Sequence, residues 1–597
     1  MQCLCSPTRA EINQAHAKGT YLDIGIPSLR NLFRIRWHRV LLWCVLALSS
    51  LPIHFLYNSA VFKTIGAEDY YMAVVNEEFF NGNPFLDSYN LTYTNSRGVE
   101  RTINETFDNQ LYVLQKDVST NAAYKNASLY ERLTNSDCIS TYGTPFVTDR
   151  ADVLVVTSAR TVIANQTAFD ESWSFVPSQY TEDGLSYSWI CSDEPTATAK
   201  TCNIAKQRRK ASAWTKSGLP IEYCLSQLIP GPGLCRLKFS VNILIVVIVM
   251  NACKCLVMLL AFWRGKEVPL VTVGDALSSF LQKPDPLTEG RCLMAKTDVA
   301  KGPLRWSSPT SEGRELLKPV AAYWHPVRQR WFAAVGIWRW AFTLGLITGA
   351  LGGAVALLVV ASNFLKLKLD TGQSVFGLGF GAVDARAVII DSLPNAGLAT
   401  EVLLANLPQV ICSLLYFAYN GLFTSMVLSH EYSQYMLRNR RKALRVSSPK
   451  GEQRSKYFLH LPYTYSIPLI AISTLLHWLV SQSLFLVRVT TGSQGEDYRI
   501  SSLGFSCSPI LATIIVGSVL VLGAIGFGCR KLASSMPLAS SCSVAISAAC
   551  HPPGEDTDAA LLQLSWGEVG EANTELGHCS FTSEETRSPR PRHLYAG

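Results

Sequence analysis

Six long apolar runs constrain this chain more than anything else in it. They lie at Val40–Phe62, Phe239–Trp263, Ala341–Leu365, Leu398–Leu428, Ile467–Val487 and Cys507–Phe527. Each reaches the ~20 helical residues needed to cross a hydrocarbon core about 30 Å thick. Of the 53 Lys and Arg and 45 Asp and Glu residues, only Lys254 and Glu401 fall inside these runs. The runs are continuous rather than alternating, so helices and not barrel strands satisfy the backbone in lipid. Charged residues make up 16% of the 597, which excludes a string of ordinary soluble domains at about 25%. The pattern predicts an α-helical integral membrane bundle of about six transmembrane helices. The formal net charge of +8 is not gathered into a basic domain, so no nucleic-acid partner is expected. The partner that is expected is the lipid bilayer.

Short connections orient the bundle by the positive-inside rule. Residues 1–39 hold six bases against two acids, and the segment Ser429–Thr464, within the 429–466 loop, holds eight against two. Loops 366–397 and 488–506 are balanced. Both termini and the 264–340 loop are therefore expected in the cytoplasm, in a plasma membrane or secretory-pathway endomembrane. The 63–238 loop then faces outward and is long enough for an extracytoplasmic domain of its own. Tyr70–Val75 and Asp152–Thr157 read as strands, while Phe107–Val118 and Ser128–Leu133 read as short helices, so an α+β fold is predicted there. The loop carries four glycosylation sequons, at Asn90, Asn104, Asn126 and Asn165, which accords with an outward placement. Its Cys138, Cys191, Cys202, Cys224 and Cys235 are disulfide candidates. Five is odd, so one stays free, pairs with another chain or pairs with Cys507; Cys224 with Cys235 is one possible staple. Their spacing lacks the two close Cys/His pairs of a zinc site, and nothing in the chain requires a metal or cofactor.

On the cytoplasmic side, Thr8-Arg-Ala-Glu11 is a capping box before a helix that Gly19 can end. Leu29, Leu32 and Phe33 lie among arginines at helical spacing, as on a helix at the membrane surface, with a plain solvated linker as the alternative. Asp275–Gln282 reads as a short helix stopped by Pro284-Asp-Pro286. The 528–597 tail is small, polar and broken by prolines, which predicts a largely disordered segment.

Several stretches resemble a fungal multi-pass membrane family described as domain of unknown function 6536. They are Met1-Gln-Cys-Leu-Cys-Ser-Pro-Thr-Arg-Ala-Glu11, His16-Ala-Lys-Gly19, Leu22-Asp-Ile-Gly-Ile-Pro-Ser-Leu-Arg-Asn-Leu32 and the run Ala47–Phe62. Further matches are Pro269-Leu-Val-Thr-Val-Gly-Asp-Ala276, Leu404-Ala-Asn-Leu-Pro-Gln409, Tyr419-Asn-Gly-Leu-Phe-Thr424 and His477-Trp-Leu-Val-Ser-Gln-Ser483. The resemblance implies an integral membrane protein without an assigned activity. Members usually carry membrane-spanning sequence upstream, so two further helices are expected there.

Polar residues inside a membrane are costly and mark functional or packing positions. Asn242, Asn251 and Lys254, then Asn406, Gln409 and Asn420, then His477 and Gln482 form a candidate path on the second, fourth and fifth runs. The structural alternative is interhelical glue. Gly345 and Gly349 have the GxxxG spacing of close helix approach. Two functions fit: a protein whose outer domain senses or binds a ligand, with helices that anchor it and relay binding, or a transporter or channel conducting a solute along the polar path. Local spacing assembles no nucleophile, base and oxyanion donor, so an enzyme is disfavoured. Ligand, solute and oligomeric state are left open.

Overall fold

The computed structural model describes all residues except 83–87, 95–99, 107–110, 119–129, 159–173, 177–186, 192–201, 230–235, 301–320, 367–373, 390–397, 438–440, 456–460 and 571–574, and the positions 69, 112, 113, 117, 145, 146, 149, 217, 266, 267, 494, 495 and 597. Among the described residues six helices are long and apolar enough to cross a membrane, the architecture of an integral membrane protein. They are α1 (Trp37–Leu56), α2 (Val241–Arg264), α3 (Ile337–Lys366), α4 (Leu398–Ser433), α5 (Tyr463–Ser483) and α6 (Cys507–Cys529). α4 is the central helix: 39% of its most apolar window is buried, against 11% for α1, α2, α3 and α6. α1 packs on α2 and α4, α3 on α4 and α6, and α5 on α4 and α6. Trp37, Phe262, Trp263 and Trp338 are exposed at one end of α1, α2 and α3, where amphipathic rings suit a membrane–water interface.

At the other end of the bundle the chain pairs into a junction sheet. Its strands run in the order Arg236–Phe239, Val61–Glu68, Leu484–Ser493, Glu496–Phe505 and Val388–Ile389. They leave α1 and α5 or lead to α2, α4 and α6, so one sheet gathers every connection at that end. The predicted first and fifth spans therefore run too far. Leu484–Val487 is a strand, and the first span ends in a single 3₁₀ turn, Tyr57–Ser59, before Val61 starts the sheet. A short apolar run serves helix or strand equally well, and ladder pairing decides between them.

Strand Val61–Glu68 continues after one residue into Tyr70–Val75, inside a second sheet whose order is Tyr130–Leu133, Leu219–Leu228, Arg150–Thr157, Tyr70–Val75, Ser174–Val176. Met72, Val74, Val153 and Val155 bury one face, and Ala73, Val75, Leu154 and Val156 bury the other. Coverage on both faces explains why these strands are unbroken apolar runs. Residues 130–133 are a strand and not the predicted helix, because Tyr130–Leu133 pairs along the edge with Cys224–Gln227. The helix instead starts at Asn135, capped by the Thr134 hydroxyl. Two disulfides staple this domain: Cys138–Cys224 ties that helix to the sheet, and Cys191 bonds Cys202. Cys224 is thus not paired with Cys235, which lies outside the described residues. Cys507 is a buried free thiol. Most of Phe107–Val118 is also outside them.

Four distant segments build a compact domain around the opposite helix ends. Its core draws Ile12 and Leu22 from the amino terminus, Leu277 and Phe280 from the loop after α2, Leu444 from the loop after α4, and Trp566 and Phe581 from the tail. The tail is therefore folded rather than largely disordered. Strands Ser565–Val569 and His578–Thr582 pair, and Trp324 packs on Trp566 at 5.9 Å. Its apolar residues are too sparse to cover one another locally, and partners hundreds of positions away supply the burial. The capping box on helix Arg9–Ala17 is complete. Glu11 also accepts from the Arg36 amide and Arg39, fixing the base of α1. Helix Val273–Gln282 forms close to its predicted place. The predicted surface helix shrinks to one turn, Leu29–Leu32, because Asn31 turns inward to bond the Cys5 and Asp23 carbonyls, leaving Leu29 and Phe33 exposed.

Candidate functional site

The polar residues of the membrane helices do not form one path. Asn242 and Asn251 are exposed on α2, Lys254 is half-buried, and none of the three joins the seam described next. Asn420, farther along α4, accepts from Thr424 at 3.4 Å. Gln482 lies at the end of α5 against Gly381, whose backbone takes φ +66°. The expected contribution of α2 is thus missing among the described contacts.

What the structure does bring together is a seam between α1, α4 and α5. Asn406 is fully buried and donates to Ser59 at 2.6 Å and to its own-helix Val402 carbonyl at 2.8 Å. Its Oδ1 has no hydrogen-bond partner among the described residues. One turn along, Gln409 commits both ends of its amide to His477: Nε2 donates to the His477 carbonyl at 2.9 Å, and Oε1 accepts from Nδ1 at 2.7 Å. That pairing puts the proton of neutral His477 on Nδ1 and leaves Nε2 as an acceptor. The His477 ring stacks on His54 of α1, with centroids 5.9 Å apart and planes 23° from parallel. Ser413 joins the two sides, lying 3.1 Å from His54 Nδ1 and donating to the Gln409 carbonyl at 3.0 Å. Pro408 in the same turn lacks an N–H, which removes one helical hydrogen bond from α4 where the seam forms.

Asn406, Gln409 and His477 were legible as polar letters in apolar runs. His54, Ser59 and Ser413 were missed. His54 gave the same signal, an ionisable ring in an apolar run, whereas a serine that can bond its own helix gives almost none.

A second cluster lies in the four-segment domain, and spacing gave no hint of it because its members are 269 and 527 positions apart. Asp285 Oδ2 is 2.6 Å from His16 Nδ1, and His16 Nε2 is 2.8 Å from Ser543 Oγ. This order of atoms is that of a nucleophile–base–orienter relay. The surroundings do not support catalysis: His16 and Ser543 are 0% exposed, and Ser543 Oγ also accepts the Leu22 amide at 3.1 Å. The trio clamps the amino-terminal segment, the loop after α2 and the tail together. Burial by itself raises the Asp285 carboxyl, but the hydrogen bond and charge of His16, the Leu287 amide and the Arg9 charge outweigh it, leaving the group below its ordinary value.

Among the predicted glycosylation sites, Asn90 and Asn104 lie directly opposite each other on the paired strands Ser88–Thr94 and Glu100–Thr106; Asn126 and Asn165 lie outside the described residues. Two family models match the chain. One, described as Domain of unknown function (DUF8419), covers residues 272–322 and 311–595; the other, described as Family of unknown function (DUF6536), covers residues 1–64. The second is the family that the amino-terminal motifs resemble. No curated protein and no solved structure matches.

Proposed function

Because the chain belongs to the DUF8419 family, whose description carries no activity, we propose from its geometry that it is a membrane sensor: the stapled domain binds a ligand outside the cytoplasm, and the helices relay that binding. The observation that carries this reading is the route of one strand. Val61–Glu68 leaves α1, lies parallel to Leu484–Ser493 leaving α5, and after a single residue becomes Tyr70–Val75 inside the stapled sheet. A displacement of that sheet pulls on α1 and α5, the two helices whose His54 and His477 rings stack. The two disulfides and four sequons support an oxidising, extracytoplasmic setting for the domain. The basic loops support cytoplasmic termini.

Hydrogen exchange on the full chain in lipid nanodiscs tests the relay. Cys224→Ser loosens the stapled domain, and the relay predicts faster exchange both there and in peptides around His54 and His477. A change confined to the stapled domain contradicts it. The seam itself favours a second reading, a solute pathway between α1, α4 and α5. Under that reading, proteoliposome uptake is lost in Gln409→Ala and His477→Ala while both variants remain folded.

A further inference from the structure

On a different face of α4 from the seam, α3, α4, α5 and α6 line a partly open cavity of about 550 Å³. Its α3 wall includes Gly345, Gly349 and Gly353. The GxxxG spacing predicts close helix contact at these positions, yet a Cβ placed on any of the three meets no atom within 4 Å. The glycines clear space instead of drawing a helix in. Along α3 the lining runs from Gly345 to Leu357, about 18 Å at 1.5 Å per residue. The cavity is therefore elongated along α3.

The chemistry of the lining narrows the occupant. It contains no Asp, Glu, Lys, Arg or His, so a charged solute would enter without compensation. Ser483 and Thr513 spend their hydroxyls on carbonyls of their own helices, at 2.8 and 2.9 Å. Water does not fill an apolar void that offers it too few partners, and an empty one deprives its walls of dispersion contacts. The volume falls within the ~300–1,000 Å³ range of small-molecule sites. The medium around these helices is lipid, and a hydrocarbon chain or a flat ring system suits an elongated apolar lining of this volume. Tyr416 and Ser473, on facing helices, have hydroxyls without a hydrogen-bond partner among the described residues and can take a single polar group.

We propose that this cavity binds one uncharged, single-bodied lipid, a sterol or a lone acyl chain, lying along α3 between the four helices. The proposal stands apart from the sensing reading, since it needs neither the stapled domain nor the seam.

The test places the full chain in nanodiscs carrying either a photoreactive sterol or a photoreactive single-chain fatty-acyl probe, in separate arms, and maps cross-links by peptide mass spectrometry. The expected result is labelling of α4 and α5 peptides containing Cys412, Tyr416 or Ser473 by one probe, above the labelling of the exposed α2 face around Leu259. Which arm labels identifies the source. Gly349→Leu extends a side chain into the cavity from a position where a Cβ meets no atom within 4 Å, and is expected to lower that labelling several-fold while leaving α2 labelling unchanged; Gly345→Leu is a second filling variant. If neither probe labels the lining above the α2 baseline, or labelling persists in a folded filling variant, the proposal is overturned. The wild-type arms decide the matter even where a variant fails to fold.

Discussion

His54 and His477 stack across the α1–α5 contact with ring centroids 5.9 Å apart, and the His477 ring is held there by Gln409, which occupies both its Nδ1 and its carbonyl. The pair sits where two strands of the junction sheet enter the membrane helices. That arrangement makes Gln409 a positioning residue whose loss has a defined signature.

Gln409→Leu leaves the His477 Nδ1 without its acceptor in apolar surroundings, which costs about 1–3 kcal/mol. Gln409→Leu with His477→Leu removes the stranded ring as well, so the double variant is expected to lose less than the sum of the single losses. Thermal unfolding of the four members of the cycle in one lipid or detergent system checks this. Additive losses would mean that the two side chains are not coupled.

In the four-segment domain, Asp285→Ala strands His16 at a fully buried position, and breaking such a pair costs about 3–5 kcal/mol. The pH dependence has a definite sign. The Asp285 carboxyl lies lower in the folded chain than its ordinary value, so its contribution is complete above an unfolded pKa of about 3.9 and is lost as pH falls through the folded one. Acid-induced unfolding should show that increment in the wild type and lack it in Asp285→Asn. A fluorophosphonate probe should leave Ser543 unlabelled at neutral pH, and labelling would show that the trio is open to a substrate.

Gly274 tests how tightly helix Val273–Gln282 closes on the loop after α4. A Cβ there would run into the Arg445 carbonyl oxygen and fall 2.7 Å from its carbon, and backbone cannot swing aside as a side-chain tip can. Helix propensity alone makes Gly→Ala favourable by about 1 kcal/mol. Overpacking costs about 1–3 kcal/mol, so Gly274→Ala is expected to lower the melting temperature. A rise would mean that helix Val273–Gln282 is not seated on residue 445.

Removing the Cys138–Cys224 bond, which closes a sequence separation of 86, should cost the stapled domain about 2–5 kcal/mol. Limited proteolysis of Cys138→Ser or Cys224→Ser is expected to cut within residues 63–238 while the membrane helices stay intact. Equal proteolysis of variant and wild type would show that the bond contributes nothing there.

The six helices were legible because lipid imposes a local rule, about twenty apolar residues in a row. The capping box at Thr8–Glu11 and the strands at Tyr70–Val75 and Asp152–Thr157 were legible for the same reason: their signals fit within one element. Residues 130–133 and 484–487 were misjudged because strand pairing with a distant partner overrode an ambiguous local pattern. The tail was misread because Trp566 and Phe581 find their cover on segments near Trp324 and Tyr432. For the candidate site, Asn406, Gln409 and His477 could be picked out singly, but only the packing of α1 against α4 reveals that His54 and Ser59 complete the seam.

The sidedness of the stapled domain underlies the account, and one measurement addresses it directly. The full chain, expressed in a eukaryotic secretory system, is treated with an endoglycosidase, alongside Asn90→Gln, Asn104→Gln, Asn126→Gln and Asn165→Gln variants. The account predicts a mobility shift that shrinks as sequons are removed, placing residues 63–238 outside the cytoplasm. An unshifted chain whose stapled domain is labelled by a cytoplasmic reagent would contradict it, removing the oxidising setting for the two disulfides and the sensing role built on them.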